Sequence, residues 1–438
     1  MGLTIRNGLA KSGGGIVSRG SNALLMDLVV EDSRAYFENA MPDGMGGGIY
    51  INGGGPTIMS TVIRRCEGIW GAGLVIDGAN VDIIGLTAVE NHGTGMVNSP
   101  ARGGAIVLMN GTYVLDDCYI ADNISEGPGA AFFLHVRAAV TLNNSIIKNN
   151  IARTAAGNGV ISANSASHIR MFRTLFTGNH AEGSGGVLHL FGSTGHLVNS
   201  TVAYNTADTY GGAFYLTSNS TVIAINSIMW ENTDEQVTFM QGDANHFAAD
   251  YCNIQGGEDA IEVNNVGSVH WGDDNILEHP LFNRDFNEDE DDFTLYEGSP
   301  CIDAGTVRWE YRGNTIVALA QNEYLGDAPD IGAYEFGDPD RVIGDEWDAP
   351  ITGYQFHSIH PNPFNNITNL TYSLPEQSSV RIHIYDASAR FITELVNGVQ
   401  VAGNHIIEWD ASRVPSGIYL VKFNVNEFGT TKKVVLIR

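Results

Sequence analysis

Charged residues that could support catalysis stand just before a recurring asparagine. Glu90 precedes Asn91, Asp122 precedes Asn123, and Arg65 occupies the equivalent place one repeat earlier. Paired carboxylates can raise the pKa of one partner or hold a cation, as glycoside hydrolysis and Ca²⁺-assisted elimination require. The candidate catalytic residues are therefore Glu90, Asp122 and Arg65.

The same positions also have a structural interpretation. Glu31, Arg65 and Glu90 alternate in sign along the repeat, which predicts a surface ion ladder that contributes little energy. The sequence leaves both interpretations open. The whole predicted outward column is Glu31, Arg65, Glu90, Asp122, Asn149, Gly178, Tyr204 and Glu231.

A second predicted outward column is apolar and aromatic. Because side chains alternate along a strand, the residue after each inward apolar position should face outward. Aromatic rings suit the apolar faces of sugars, so the column predicts glycan contact by Tyr50, Phe133, His189 and Tyr215. The alternatives are that loops or another domain cover this face, or that β-propensity alone selects these residues. The column is Val17, Tyr50, Val75, Val107, Phe133, Ile161, His189 and Tyr215.

Both columns depend on an internal repeat of 25 to 33 residues. Small residues precede an apolar position at 16, 49, 74, 106, 132, 160, 188 and 214, and an asparagine closes most second halves. Such self-similarity is typical of stacked coils, and it predicts an internal amide ladder. The predicted ladder is Asn91, Asn123, Asn150, Asn179, Asn205 and Asn232.

The repeat predicts strands, because apolar residues alternate over four to seven positions and no segment shows a helical stripe. Strands joined by short turns can keep this period if they wind as a parallel coil, and the handedness of parallel crossovers favours the right-handed form. The predicted fold is all-β, with a right-handed parallel β-helix over residues 1–255. Ile106 and Phe132 should then be lateral neighbours.

The N-terminal sequence resembles the second half of a coil from its first residues, with no basic and apolar leader before it. We therefore expect that this chain is N-terminally truncated and lacks its leader and first coils.

The charge of the 438-residue chain is concentrated in one block. The net charge is −27, of which residues 1–230 carry −3, residues 231–350 carry −25 and residues 351–438 carry +1. An acidic block argues against nucleic acid and anionic lipid as partners, and no apolar run is long enough for a transmembrane segment. Carboxylates at Asp289, Asp291 and Asp292 are candidate Ca²⁺ ligands, although they lack the EF-hand spacing and also fit a solvated acidic loop.

The four cysteines show no metal-ligand spacing. Cys66 and Cys118 should lie two coils apart, too far for a disulfide. A bond between Cys252 and Cys301 is left open.

Residues 256–337 predict a loop-rich closing region of the β-helix. Its motifs are Pro280-Leu281-Phe282, Phe293-Thr294-Leu295, the segment 298–305 (GSPCIDAG) and the segment 330–336 (DIGAYEF). This series resembles the end of the helix in bacterial surface proteins of the pectate-lyase-like superfamily. The resemblance implies the architecture and leaves the chemistry open.

The C-terminal part predicts an immunoglobulin-like β-sandwich over residues 352–438, after an acidic linker over residues 338–351. It resembles the C-terminal sorting domain of type IX secretion cargo, which implies the type IX machinery as a partner and a location outside a Gram-negative bacterium or on its outer surface. An ordinary accessory module is the alternative. The motif residues are Pro361, Asn362, Pro363, Phe364, Gly417, Tyr419, Lys432 and Lys433.

Together these features predict a secreted or cell-surface β-helix protein that acts in adhesion or binds polysaccharide, including host or cell-surface glycans. The alternative is a polysaccharide lyase or glycoside hydrolase acting on acidic polysaccharide, with Ca²⁺ as the candidate cofactor, because a fold alone does not choose between these functions.

Overall fold

The computed structural model describes residues 3–38, 44–95, 101–154, 159–233, 235–264, 266–285, 292–321, 323–338, 354–360, 364, 366–386, 390–401, 403–426 and 428–436. The chain divides into two compact units, Met1–Asp338 and Pro339–Arg438. The first is a parallel β-solenoid and the second is built from antiparallel sheets.

Each coil of the solenoid contributes strands in turn to four parallel sheets, here called sheets 1 to 4. The strands of sheet 1 are Leu3–Arg6, Leu28–Glu31, Val62–Arg64, Thr87–Val89, Tyr119–Ala121, Ile146–Lys148, Leu175–Thr177, Thr201–Ala203, Ile228–Trp230 and Asn253–Ile254. Those of sheet 2 are Leu9–Ala10, Arg34–Ala35, Glu67–Gly68, His92–Gly93, Ile124–Ser125, Ile151–Ala152, His180–Ala181 and Thr206–Ala207.

Sheets 3 and 4 complete the coil. Sheet 3 consists of Ile16–Ser21, Ile49–Gly54, Leu74–Asp77, Ile106–Met109, Phe132–His135, Ile161–Asn164, Leu188–Phe191, Phe214–Thr217, Val237–Phe239 and Ile261–Glu262. Sheet 4 consists of Leu24–Met26, Thr57–Met59, Val81–Ile84, Thr112–Asp116, Ala139–Asn143, His168–Phe172, Thr194–Val198, Thr221–Ile225, His246–Asp250 and Ser268–Trp271.

The predicted stacking of coils is confirmed. Ile106 pairs in register with Phe132, and Leu74 pairs with Ile106 on its other side. The inward residues of all four sheets form one continuous apolar core in which Ile49, Leu74 and Phe132 are buried. Each coil buries its apolar side chains against the next, so adjacent coils stabilise one another.

The predicted phase was wrong in one coil of sheet 3. Phe132 pairs with Ile161 and Phe133 with Ser162, so Ser162 takes the outward place that was assigned to Ile161. The cause is Val160, which occupies the position before the strand where the preceding coil has Ala131, as their backbone hydrogen bond of 3.0 Å shows. The spacing of apolar residues in the sequence does not show whether Val160 or Ile161 begins the strand.

The corner between sheets 1 and 2 repeats one conformation. A residue with positive φ is followed by the inward asparagine, as in Glu90 (φ 56°), Asp122 (φ 56°) and Asn149 (φ 54°). In the coil that contains the strand Leu28–Glu31, the corner residue is Asp32 (φ 51°). The prediction of Glu31 for this column was therefore wrong by one position. The left-handed conformation turns the chain sharply, and it favours asparagine, aspartate and glycine.

The asparagines form the predicted internal ladder. The Oδ1 atom of Asn150 accepts from the backbone N–H of Asn123 at 3.1 Å and from its Nδ2 at 2.9 Å. The Nδ2 atom of Asn150 donates to Ile120 O and Lys148 O, each at 2.9 Å. The side chain of Asn150 therefore satisfies backbone groups of two successive coils, which the interior would otherwise leave without partners.

A second inward ladder, not predicted from the sequence, lies between sheets 4 and 1. Cys118 N donates to Ser145 Oγ at 3.0 Å, Thr174 N to Ser200 Oγ at 3.1 Å and Ser200 N to Ser227 Oγ at 3.2 Å. Here too each inward residue follows one with positive φ, for example Asn144 before Ser145.

The cysteines are buried free thiols. Cys66 occupies an asparagine position, where its N–H donates to Asn91 Oδ1 at 3.1 Å. Cys118 lies in the second ladder, and Cys301 accepts from Asn253 Nδ2 at 3.2 Å. The disulfide left open between Cys252 and Cys301 is absent from the structure, and burial raises the pKa of both thiols to about 12.

The region after the last coils packs against their outside. It contains the 3₁₀ turn Asn283–Asp285 and a hairpin of Arg308–Tyr311 with Asn314–Ala318, whereas the 3₁₀ turn Gly257–Ala260 lies within the last coil, before Ile261–Glu262. Ile316 and Val317 of the hairpin pack on the outer face of sheet 4, and Trp309 Nε1 donates to Asp250 Oδ2 at 2.9 Å. The hairpin thereby covers apolar side chains on the outside of the last coils.

The carboxyl groups of Asp330 and Glu335 interact in the segment 330–336 of the closing region. Glu335 Oε2 accepts from Leu325 N and Asp330 N, each at 3.3 Å. Burial, together with the charge of Asp330, raises the pKa of Glu335 to about 7, while Arg173 acts in the opposite direction. The pKa of Asp330 is also raised by burial.

The second unit is a two-sheet sandwich. One sheet contains Gln355–His360, Ile367–Leu374 and Gly403–Asp410, and the other contains Phe391–Gln400, Ser378–Asp386, Gly417–Val425 and Phe428–Leu436. Tyr372 of the first sheet packs against Phe423 of the second with ring centroids 4.9 Å apart. One apolar core therefore lies between the sheets, as in a β-sandwich.

We expect Asn150→Ala to lower the free energy of unfolding by about 2–4 kcal/mol, because it leaves buried backbone groups without partners. Chemical denaturation of the full chain measures this. Asn149→Gly is the matched control, since Gly178 occupies the same place in the next coil, and it should cost less than about 1 kcal/mol. Equal losses in the two variants would contradict the structural role of the ladder.

The raised pKa of Glu335 predicts that the stability of the chain depends on pH. Because its pKa in the folded chain, about 7, lies above its ordinary 4.5, its contribution to stability is fully present below pH 4.5 and is lost as the pH rises through 7. Glu335→Gln should therefore reduce the fall in thermal stability between pH 5 and 8. An unchanged pH profile in the variant would refute this assignment.

Candidate functional site

The outward column of sheet 3 is mostly covered. Tyr50 is 3% exposed, Phe133 2% and Val75 fully buried, so the expectation of an exposed stripe was wrong for this half of the column. The covering residues stand directly before the glycines of each coil, among them Met45 and Trp70. The alternative that loops cover this face is correct here.

A wall of residues runs beside this column, in register from coil to coil. Met45 pairs with Trp70 and Trp70 with Arg102, while Gly103 N donates to Pro128 O at 3.0 Å and Gly185 N to Tyr210 O at 2.8 Å. The wall therefore stacks with the same spacing as the strands. Its members include Trp70, Arg102, Pro128 and Tyr210.

An open depression of about 310 Å³ lies between this wall and sheet 3. Phe133 and His189, two of the predicted glycan-binding residues, line it together with Ser162 of the coil between them. The remaining lining residues are Arg102, Pro128, His135, Asn164, Ser165 and Phe191. Rings, amides, hydroxyls and one cation thus converge on a single concave surface.

Arg102 is held by aromatic rings. Its guanidinium carbon lies 4.6 Å from the ring centroid of Trp70 and 5.4 Å from that of Phe133. Burial lowers the pKa of Arg102, and among the described residues no acidic side chain forms an ion pair with it. A half-buried cation that stacks on rings and has no acidic partner among the described residues is suited to receive an anionic group from outside.

The histidines of the depression are fixed by neighbouring polar groups. The Nδ1 atom of His135 is hydrogen-bonded to Asn164 Oδ1 and lies 3.5 Å from Ser165 Oγ. The Nε2 atom of His189 is hydrogen-bonded to Thr217 Oγ1 at 3.3 Å. These bonds hold both rings in place at the floor of the depression.

The aromatic surface continues past the depression. Tyr215 follows His189 in register, with ring centroids 5.4 Å apart. Tyr210 of the wall stacks on Tyr215 at 6.0 Å and an interplanar angle of 17°. Tyr210 is 52% exposed, so this pair presents a ring face to solvent.

The candidate catalytic residues lie elsewhere, at the corner between sheets 1 and 2. Arg65 Nε donates to Asp32 Oδ1 at 2.8 Å, and its Nη2 donates to Glu31 Oε2 at 2.9 Å. The nearest oxygen of Glu90 lies 3.9 Å from Arg65 Nη1. This is the geometry of the predicted surface ion ladder.

The pKa values at this corner reflect the same pairing. Hydrogen bonds from Arg64 to Glu31 and from Arg65 to Asp32 hold the pKa of each carboxyl below its ordinary value. The pKa of Arg65 is raised, mainly by its hydrogen bond to Asp32. Asp122 occupies the next corner position after Glu90, with backbone φ of 56°.

The other end of this corner column is covered by the closing region. The guanidinium carbon of Arg284 lies 4.0 Å from the ring centroid of Tyr204, and Phe293 packs against the same ring at 6.0 Å.

The candidate Ca²⁺ segment is only partly within the described residues. Asp289 and Asp291 lie outside them, whereas Asp292 Oδ1 accepts from Thr294 N at 3.1 Å and from the Thr294 hydroxyl. Within the described ranges, no group of three or more histidine, cysteine, aspartate or glutamate side chains is arranged to hold a metal ion. Ca²⁺ binding stays a prediction.

The described residues of the predicted sorting motif lie on or beside the last two strands of the sandwich. Phe364 is 2% exposed and bridges to Leu436, and the Tyr419 hydroxyl donates to Pro415 O at 2.6 Å. Lys433 pairs with Leu420, and Lys432 with Val421, on the last strand. Gly417 begins the neighbouring strand. Pro361, Asn362 and Pro363 lie outside the described residues.

Comparison with known families identifies this C-terminal unit. Residues 358–437 match the secretion system C-terminal sorting domain. The tail indicates a protein that is secreted or held at the cell surface, and it implies the type IX secretion machinery as a partner. No curated protein and no solved structure matches the chain.

In the part of the chain that the structure describes, there is no helix with the length and apolar content needed to cross a membrane.

Proposed function

We propose that this secreted β-solenoid protein binds polysaccharide in the depression on the outer face of sheet 3, and that adhesion to a glycan-bearing surface is its biological role. The observation that carries the proposal is the convergence of Arg102, Phe133 and His189 on one concave surface. Two of these three residues were expected from the sequence to contact glycan.

The chemistry of the lining suits a sugar chain. The exposed ring of Phe191 offers apolar surface for the face of a pyranose ring, while Ser162 and Asn164 offer hydrogen-bonding groups for hydroxyls. Arg102 adds a cation that can bind a carboxylate or sulfate in a bidentate manner. The proposed ligand is therefore a glycan that carries an anionic group.

The structure supports binding in the depression better than it supports catalysis at the corner between sheets 1 and 2. Arg65, the proposed basic residue there, already pairs with Glu31 and Asp32. Its neighbour Glu90 projects from a convex corner with 58% of its side chain exposed. A convex, solvated corner offers little surface against which a sugar chain could be positioned.

We expect Arg102→Gln to weaken binding of anionic polysaccharides by about tenfold or more, because a charge-assisted contact is lost from a partly buried site. Affinity electrophoresis against pectate, alginate, chondroitin sulfate, hyaluronan and neutral dextran measures this. Arg153→Gln is the control, since Arg153 forms an exposed pair with Glu126 on another sheet.

Retention of at least one anionic polysaccharide by the original chain, with loss in Arg102→Gln and not in Arg153→Gln, supports the proposal. If the original chain is retarded by none of the polysaccharides, or if the two variants behave alike, the depression is not the binding site.

A further inference from the structure

We infer that the binding surface extends along the solenoid axis to a second subsite at Tyr210 and Tyr215, and that it takes a linear glycan of about four sugar units with its anionic unit at the Arg102 end and neutral rings at the tyrosine end. This inference rests on the proposed function and deepens it.

The register of the coils sets the length of the surface. On the floor, Phe133, Ser162, His189 and Tyr215 are successive partners in sheet 3, so Tyr215 lies three coils from Phe133. At about 4.8 Å per coil this is roughly 14 Å. The wall runs in the same direction, because Pro128 flanks the coil of Phe133 and Tyr210 flanks that of Tyr215, while Arg102 belongs to the coil just before Phe133.

The spacing of the coils favours a glycan that runs along the solenoid axis. A pyranose ring advances a linear glycan by about the distance between neighbouring coils, so each coil can present one contact to one ring. Arg102 then provides the cation at one end and the pair Tyr210 and Tyr215 provides ring surface at the other, with Ser162 and His189 between them. A ligand that crossed the sheet along the strands would reach only one of these two ends.

The charges along the surface differ between its ends. Arg102 is the cation at one end, whereas Glu262 follows Tyr215 on the floor two coils further on, through Thr238. Asp243 lies near the same end, where its carboxylate accepts from Ser218 N at 2.6 Å. Both acids, after burial and Tyr210, contribute to the raised pKa of Tyr215. Negative charge on the ligand is therefore favourable near Arg102 and unfavourable near Tyr215.

Titration calorimetry with size-graded oligosaccharides tests this. The probes are hyaluronan oligomers of two to eight sugars, in which uronate and neutral units alternate, and polygalacturonate oligomers of the same lengths, in which every unit is charged. We expect affinity for hyaluronan oligomers to rise up to about four to six sugars and then to level off. The affinity for the polygalacturonate oligomers should rise less with length.

Tyr210→Ala should weaken binding of the hyaluronan hexasaccharide by about three- to tenfold and leave binding of the disaccharide unchanged, because only the longer ligand reaches the second subsite. Tyr36→Ala is the control, since Tyr36 is 38% exposed and follows the sheet 2 strand Arg34–Ala35, several coils before Tyr210. Thermal unfolding of both variants verifies that they fold.

The outcomes separate the two proposals. If the chain binds these oligomers but with no dependence on length, with no effect of Tyr210→Ala, or with equal gain in the fully charged series, the second subsite is refuted and the depression stands. If the chain binds no oligomer of either series, the result counts against both the depression and its extension.

Discussion

The structure depends on one constraint, which is that buried backbone groups at the corners of a coil need hydrogen-bond partners. A corner interrupts the strand-to-strand hydrogen bonds while its backbone remains inside the stack. The chain meets this need with a residue of positive φ followed by an inward polar side chain, as in Asn149 and Asn150 or Asn144 and Ser145. Because the partner lies one coil away, the corners fix the register of the whole solenoid.

The position of the candidate binding site follows from that register. Strands whose equivalent residues stack directly bring Phe133, Ser162 and His189 into one line, although 29 and 27 residues separate them along the chain. The residue before each glycine stacks in the same way, which places Arg102 and Trp70 beside the line. A concave surface of mixed chemistry thus forms from positions that are not close in sequence.

The sequence predicted the solenoid and its asparagine ladder because both are periodic. It predicted the sorting tail because several motifs occur in order, among them Phe364, Tyr419 and the paired lysines 432 and 433. It did not reveal the second ladder, whose inward residue varies among Thr61, Cys118, Ser145 and Thr174. A signal was present in the aspartate or asparagine that precedes Cys118 and Ser145.

The site was predicted only in part, for physical reasons. Alternation gives the face of the sheet on which Tyr50 and Phe133 lie, but it does not give what lies above them, and residues outside the strands cover this half of the column. Arg102 was missed for the same reason, since it belongs to a turn without a periodic pattern of residue type.

The most direct test of the central claim is residue-resolved hydrogen exchange on the full chain. If the corner ladders hold the stack, the backbone amides of Asn123, Asn150 and Asn179 should exchange as slowly as the central strands of sheet 3, through global opening alone. Exchange of these amides at the rate of exposed loops, with protection confined to the strands, would contradict the account.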